Sequence, residues 1–138
     1  MARVESTSEK PRLAKLGVRP GARVAIVGSV DDGLPHELAS QTTDVRRGAP
    51  APGTDLVFLA ADAPGDLAGL ADLRARLRPD GAIWVVSRKG RAATLRDVEV
   101  MAAAREAGLV DNKVIAFSAT HTALRLVIPR AARSAIRG

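Results

Sequence analysis

The sequence predicts a three-layer α/β domain: a mostly parallel β-sheet covered by helices on both faces and ending in an antiparallel hairpin. Three observations predict it. Short β-rich runs alternate with helical segments through residues 23–108, the order that winds a parallel sheet. The runs at 23–27, 56–60 and 82–86 are almost wholly apolar rather than alternating, as strands buried on both faces are. The last two runs, 113–117 and 123–128, are joined by five residues, too few for a parallel crossover.

The elements follow in order. Residues 1–10 are polar and are expected to form a disordered tail. Residues 11–16 suit a short helical turn stopped by Gly17, and Val18-Arg19-Pro20-Gly21 turns the chain into the first strand, which ends at Gly28. Pro35 fits the first turn of a helix over 34–40. A weak strand is expected over 42–46, then an extended loop, Gly48-Ala49-Pro50-Ala51-Pro52-Gly53. After the strand at 56–60, Leu67, Leu70, Leu73 and Leu77 fall on one helical face. Pro79-Asp80-Gly81 turns into the strand at 82–86. Thr94 and Asp97 have capping-box spacing for a helix whose inner face would hold Leu95, Val98, Met101 and Ala102, with Gly108 as its stop. The hairpin closes a domain over 11–129, and residues 130–138 form a basic tail.

Composition narrows the function. A chain of 138 residues is sized for one domain and buries roughly two thirds of its unfolded surface on folding. Hydrophobic residues make up 46%, and with two Phe, one Trp and no Tyr the core must be aliphatic. The absence of cysteine excludes disulfides, thiol catalysis and cysteine metal sites. No apolar run approaches the ~20 residues of a membrane span, and residues 1–10 hold no signal-like stretch, so a soluble cytoplasmic protein is expected. The net charge is +6. Its cations are 17 Arg against 4 Lys, dispersed along the chain, and stacking platforms for bases are almost absent. An anionic partner fits that balance better than a nucleic acid does.

Three stretches resemble the S-adenosylmethionine-dependent methyltransferase version of the Rossmann fold. Leu16-Gly17-Val18-Arg19-Pro20-Gly21-Ala22-Arg23-Val24-Ala25-Ile26-Val27-Gly28 resembles the approach to its first strand, and Asp55-Leu56-Val57-Phe58-Leu59 resembles its fourth. Leu77-Arg78-Pro79-Asp80-Gly81-Ala82-Ile83-Trp84-Val85 resembles the helix-turn-strand that follows. A closer resemblance, over most of residues 11–129, is to the short bacterial proteins known as domain of unknown function 3052. It is best at the start, at 84–90, at Gly108-Leu109-Val110-Asp111-Asn112-Lys113-Val114 and at Leu124-Arg125-Leu126-Val127. The resemblance implies the Rossmann-like fold and no activity, because that family has none established.

The methyltransferase pattern fails where a cofactor needs it. It implies a Gly-x-Gly-x-Gly turn, because close backbone approach requires residues without Cβ. Here the turn is Gly28-Ser29-Val30-Asp31-Asp32-Gly33, with β-branched Val30 in the middle. The pattern also implies an acidic residue ending the second strand, where this chain has Arg46-Arg47, with Asp44 two positions early. The eight residues 47–54 span at most ~26–29 Å, too little for the helix and extra strand that wall one side of an adenosine pocket.

Ligands of open α/β sheets bind beyond the carboxyl ends of the strands. That edge should collect Ser29, the loop Ala61-Asp62-Ala63-Pro64 and the loop Ser87-Arg88-Lys89-Gly90-Arg91. Three cations before a helix N-terminus suit an anion, against the plainer reading of a solvated basic loop. Asp62 before Pro64 suits an N-cap, with a faint similarity to the acidic motif of amino methyltransferases. Asp31 and Asp32 suit turn positions, with a metal or sugar-hydroxyl role as the alternative. Trp84 suits core packing, His36 and His121 have no partner at a metal or relay spacing, and Ser87 lacks a nucleophile elbow. The expectation is a non-catalytic domain with no cofactor and no metal, binding a protein partner or a small anionic ligand through Ser29, Arg88, Lys89 and Arg91. The alternative is an S-adenosylmethionine-dependent methyltransferase, or another nucleotide-using enzyme, holding its cofactor with Gly28, Gly33, Asp44 and Asp62. A third reading pairs the sheet edge near 42–46 with a second copy of the chain.

Overall fold

Six strands form one sheet: β1 (Val24–Val27), β2 (Val45–Arg47), β3 (Thr54–Ala60), β4 (Leu77–Arg88), β5 (Val110–Ala116) and β6 (His121–Val127). They lie in the order β2-β1-β3-β4-β6-β5. The computed structural model describes residues 11–30 and 33–137, so the N-terminal tail and the pair Asp31-Asp32 lie outside the described residues. The first four strands run parallel, and β6 runs antiparallel to both β4 and β5, as the short link requires.

Each face of the sheet buries its own core. Ala25, Val57, Leu59, Ile83, Val85, Leu124 and Leu126 point to one side, beneath α3 (Leu70–Arg76) and α4 (Asp97–Glu106). Val24, Ile26, Phe58, Trp84 and Val127 point to the other, beneath α1 (Arg12–Leu16) and α2 (Leu34–Leu38). These are the three layers expected. Trp84 is fully buried at the centre of the second core and its indole N–H donates to Leu16 O at 3.0 Å. The bond satisfies a terminal helix carbonyl that would otherwise have no partner.

Several boundaries differ from expectation. Leu67 closes a 3₁₀ turn, Pro64–Leu67, ahead of α3, and Leu67, Leu70, Leu73 and Leu77 are all buried as predicted. Pro79-Asp80-Gly81 lies within an excursion of β4, because Thr54 faces Leu77 while Leu56 faces Ala82. Thr94 does not cap α4; its hydroxyl donates to Asp62 O at 2.5 Å, and the helix begins at Asp97 with Glu99 accepting from the Arg96 N–H at 2.9 Å. At ~100° per residue Val98 and Val100 point about 160° apart, so both cannot face the core. Val100 and Ala104 pack inward beside Leu95, while Val98 is 60% exposed. The basic C-terminal segment forms α5 (Arg130–Arg137), with Ala132 against the core and Arg133 Nε donating to Ile128 O. Among the described residues, no helix is long and apolar enough to cross a membrane.

The link from β2 to β3 contains no helix and no strand, as its length predicts. Gly48 N–H donates to Ile26 O and Gly53 N–H to Arg76 O. Arg76 Nη1 and Arg23 Nη1 donate to the carbonyls of Pro50 and Pro52, each at 2.9 Å, and Pro50 is buried. The segment is a pinned strap rather than a free loop.

Trp84→Ala should destabilise the protein by about 3–5 kcal/mol. Trp84→Phe should cost about 1–3 kcal/mol, since it keeps most of the volume and orphans the Leu16 carbonyl. Urea midpoints at unchanged m-value test both; a Phe variant as stable as the parent would show that the indole bond contributes nothing.

Candidate functional site

At the carboxyl ends of β1, β3 and β4 the chain forms an open cleft of about 500 Å³. Its walls come from Gly28, Ser29 and Val30 after β1, from Ala60, Ala61, Asp62 and Asp66 after β3, from Arg88 at the end of β4, and from His121. Gly28 is required twice over. Its φ is +86°, and a Cβ there would stand 3.1 Å from the Cβ of Ala60.

The polar groups of this cleft largely answer one another. Asp62 Oδ1 accepts the Arg88 N–H at 3.0 Å, and its Oδ2 lies 3.8 Å from Arg88 Nε. Asp66 Oδ2 accepts the N–H groups of Asp62 and Ala63, so Asp66 performs the capping expected of Asp62. The Arg88 guanidinium is exposed, and Asp62 is its one carboxylate neighbour among the described residues. Ser29 is also exposed.

Ser29 and Arg88 therefore share one cleft, and Lys89 and Arg91 do not line it. The Lys89 N–H donates to Thr120 O, and Arg91 lies on the exposed 3₁₀ turn Gly90–Ala92. That turn does not lead into a helix N-terminus, because α4 starts six residues beyond Arg91 with Asp97 and Glu99 already in its first turn. Gly33 begins α2 with φ −78°, so the chain does not use its conformational freedom there.

Asp44 is at the other end of the sheet. The strand expected over 42–46 forms over Val45–Arg47, so Asp44 precedes β2 instead of ending it. Its Oδ2 accepts from Arg23 Nε at 3.0 Å and its carbonyl accepts the Val24 N–H at 2.9 Å. Thr42 bonds Ala22 O and the Asp44 N–H through its hydroxyl, which makes a turn of the residues expected to open the strand.

His121, expected in the hairpin turn and in no site, is the cleft residue that sequence reasoning missed. It sits opposite Arg88 in the β4–β6 pairing, with Nδ1 against Thr120 Oγ1 at 2.7 Å. The antiparallel return brings the start of β6 to the carboxyl edge, and the expected hairpin was the one signal that pointed there. Among the described residues, no group of three or more His, Asp or Glu side chains is arranged to hold a metal ion.

A family model for proteins of unknown function, DUF3052, matches residues 14–130. The chain belongs to the DUF3052 family. No curated protein matches it. Solved structures, several of them methyltransferases, share its fold at low identity. The pyocyanin biosynthetic protein PhzM is 12% identical with a TM-score of 0.65, over 86% of this chain and 53% of its own. Magnesium protoporphyrin IX methyltransferase ChlM from Synechocystis PCC 6803, solved with bound SAM, is 14% identical with a TM-score of 0.63, over 91% and 79%. The N-methyltransferase NodS from Bradyrhizobium japonicum WM9 is 13% identical with a TM-score of 0.62, over 91% and 97%. This DUF3052 protein thus has the Rossmann-like fold of methyltransferases and spans about half the length of PhzM.

Gly28→Ala should destabilise this DUF3052 protein by about 1–3 kcal/mol, through strain at positive φ and contact with Ala60. A thermal or urea melt checks it, and an unchanged midpoint would show that the β1 turn relaxes freely.

Proposed function

We propose that this chain is a non-catalytic binding domain on a methyltransferase-like frame, holding a small anion, or an anionic group of a partner, at the carboxyl-edge cleft. Asp62 carries the reading. Asp62 lines the cleft, but its carboxylate is engaged within the protein: it accepts the Arg88 main-chain N–H and lies beside the Arg88 guanidinium. What remains to meet a ligand is the outer guanidinium of Arg88, the hydroxyl of Ser29 and the imidazole of His121. Lys89 and Arg91 add positive charge from outside the lining.

The residues present do not fit an adenosyl cofactor in the way the methyltransferase resemblance implies. Val30 lines the turn where a residue without Cβ is needed. Asp44, the candidate for ribose hydroxyls, is bonded to Arg23 at the amino edge. One observation favours the alternative enzyme reading: Gly28 still turns the chain sharply at the end of β1, beside Asp62.

Calorimetric titration separates the two. S-adenosylmethionine and its demethylated product should give no saturable heat up to millimolar concentration. Micromolar binding of either would overturn the non-catalytic reading and favour a methyltransferase with a degenerate loop. Sulfate should shift the backbone amides of Ser29 and Arg88, and Arg88→Ala should abolish the Ser29 shift. A Ser29 shift that survives in that variant would remove Arg88 from the site.

A further inference from the structure

At the amino edge of the sheet, the end opposite the Gly28 cleft, we propose a second site, for a phosphate-sized oxyanion gripped by Arg19 and Arg125. A cavity of about 430 Å³ opens there between the turn before β1, the start of β3 and the excursion of β4. Three guanidinium groups, Arg19, Arg78 and Arg125, and two carboxylates, Asp55 and Asp80, line it. The carboxylates are already answered. Arg78 Nη1 lies 3.2 Å from Asp55 Oδ1 and its Nε 3.9 Å from Asp80 Oδ1, while Asp55 Oδ2 accepts the Arg23 N–H at 2.8 Å. The guanidinium groups of Arg19 and Arg125 have no hydrogen-bond or ion-pair partner among the described residues. The wall therefore carries an excess of one positive charge, held by the two groups that lack partners.

Arg125 is the telling residue. It occupies an interior strand, opposite Trp84 and two positions from the buried Ala123 and Val127. A guanidinium there is partly buried, and burial, then the charge of Arg133, lowers its pKa. Losing hydration without gaining a partner is unfavourable, and an oxyanion reverses that loss. The carboxy end of α1 does not serve instead, because its last four carbonyls already accept. Leu13 O takes the Val18 N–H, Ala14 O the Gly17 N–H, Lys15 O Lys113 Nζ, and Leu16 O the Trp84 indole. Two planar forks converging on one cavity match the oxygens of a phosphate better than a single carboxylate.

The test is a titration of the full chain with inorganic phosphate at constant ionic strength, followed by backbone amide shifts. Saturable shifts are expected at Gly17, Arg19 and Gly21. Affinity should fall by at least about tenfold in Arg19→Ala and in Arg125→Gln, the scale of one charge-assisted hydrogen bond. Arg88→Ala, at the other edge, should leave it unchanged, so this site and the carboxyl-edge site stand or fall separately. Arg19 lies on an exposed turn, so its variant decides the matter even if Arg125→Gln does not fold. Non-saturating shifts, shifts confined to Ser29 and Arg88, or undiminished affinity in Arg19→Ala would each overturn the proposal.

Discussion

Parallel neighbours oblige the chain to travel back from the carboxyl to the amino end of a sheet, and between β2 and β3 residues 48–53 alone make that return. At 1.5 Å per residue a helix of that length could not cover the distance, so the segment must be extended. Extension exposes peptide groups over a sheet face, and the sequence deals with them in kind. Pro50 and Pro52 remove two donors, and their carbonyls are met by Arg76 and Arg23. Gly48 and Gly53, with φ of +95° and +79°, bend the chain at the two ends. Among the described residues no further strand lies beside β2, which is left at the margin of the sheet. One short connection thus sets the reduced frame at this margin.

The two ends of the sheet then differ in how their charges are used. At the carboxyl end, Asp62 and Asp66 hold the loop after β3 against the end of β4 and cap the 3₁₀ turn, which is structural work within the cleft wall. At the amino end, Asp44 and Asp55 tie Arg23 and Arg78, knitting the beginnings of β1, β2 and β3. Exposed pairs of this kind contribute little each, about 0–1 kcal/mol. Their larger effect is to determine which cations are left over. Arg88 stays available at one end, and Arg19 with Arg125 at the other.

Much of this was legible in the sequence because burial on both faces leaves a strong signature. The apolar runs of β1, β3 and β4, the hairpin and the missing strand between β2 and β3 all follow from local composition and length. What escaped depended on contacts between distant residues. Thr94 has the spacing of a cap, yet its hydroxyl is drawn to Asp62 O, 32 positions away, and the helix beyond it packs Val100 rather than Val98 against the core. Asp44 missed its expected place because Thr42 found a better partner in Ala22 O. Arg125 looked like one more dispersed cation until β6 was inserted between β4 and β5. Ser29 and Arg88 were brought together as expected because the ends of parallel strands must share an edge.

The same logic bears on the sheet margins, one of which, near 42–46, is where the third reading would pair a second copy. β2 offers three residues, two of them exposed arginines, and like charges facing across a two-fold axis oppose pairing. β5 is longer and has an apparently self-complementary run, Val110-Asp111-Asn112-Lys113-Val114. Antiparallel pairing centred on Asn112 would set valine against valine and aspartate against lysine. The register defeats it. Asp111 faces Leu126 while Lys113 faces Arg125, so Asn112 is an extra residue that bulges from the ladder. Val110 consequently lies on the face of Val127, and Val114 on the face of Leu124, which belong to opposite cores. In a two-fold pair each valine would meet its counterpart's valine across the thickness of the sheet instead of beside it. A single inserted residue therefore turns an inviting edge into one that does not match itself.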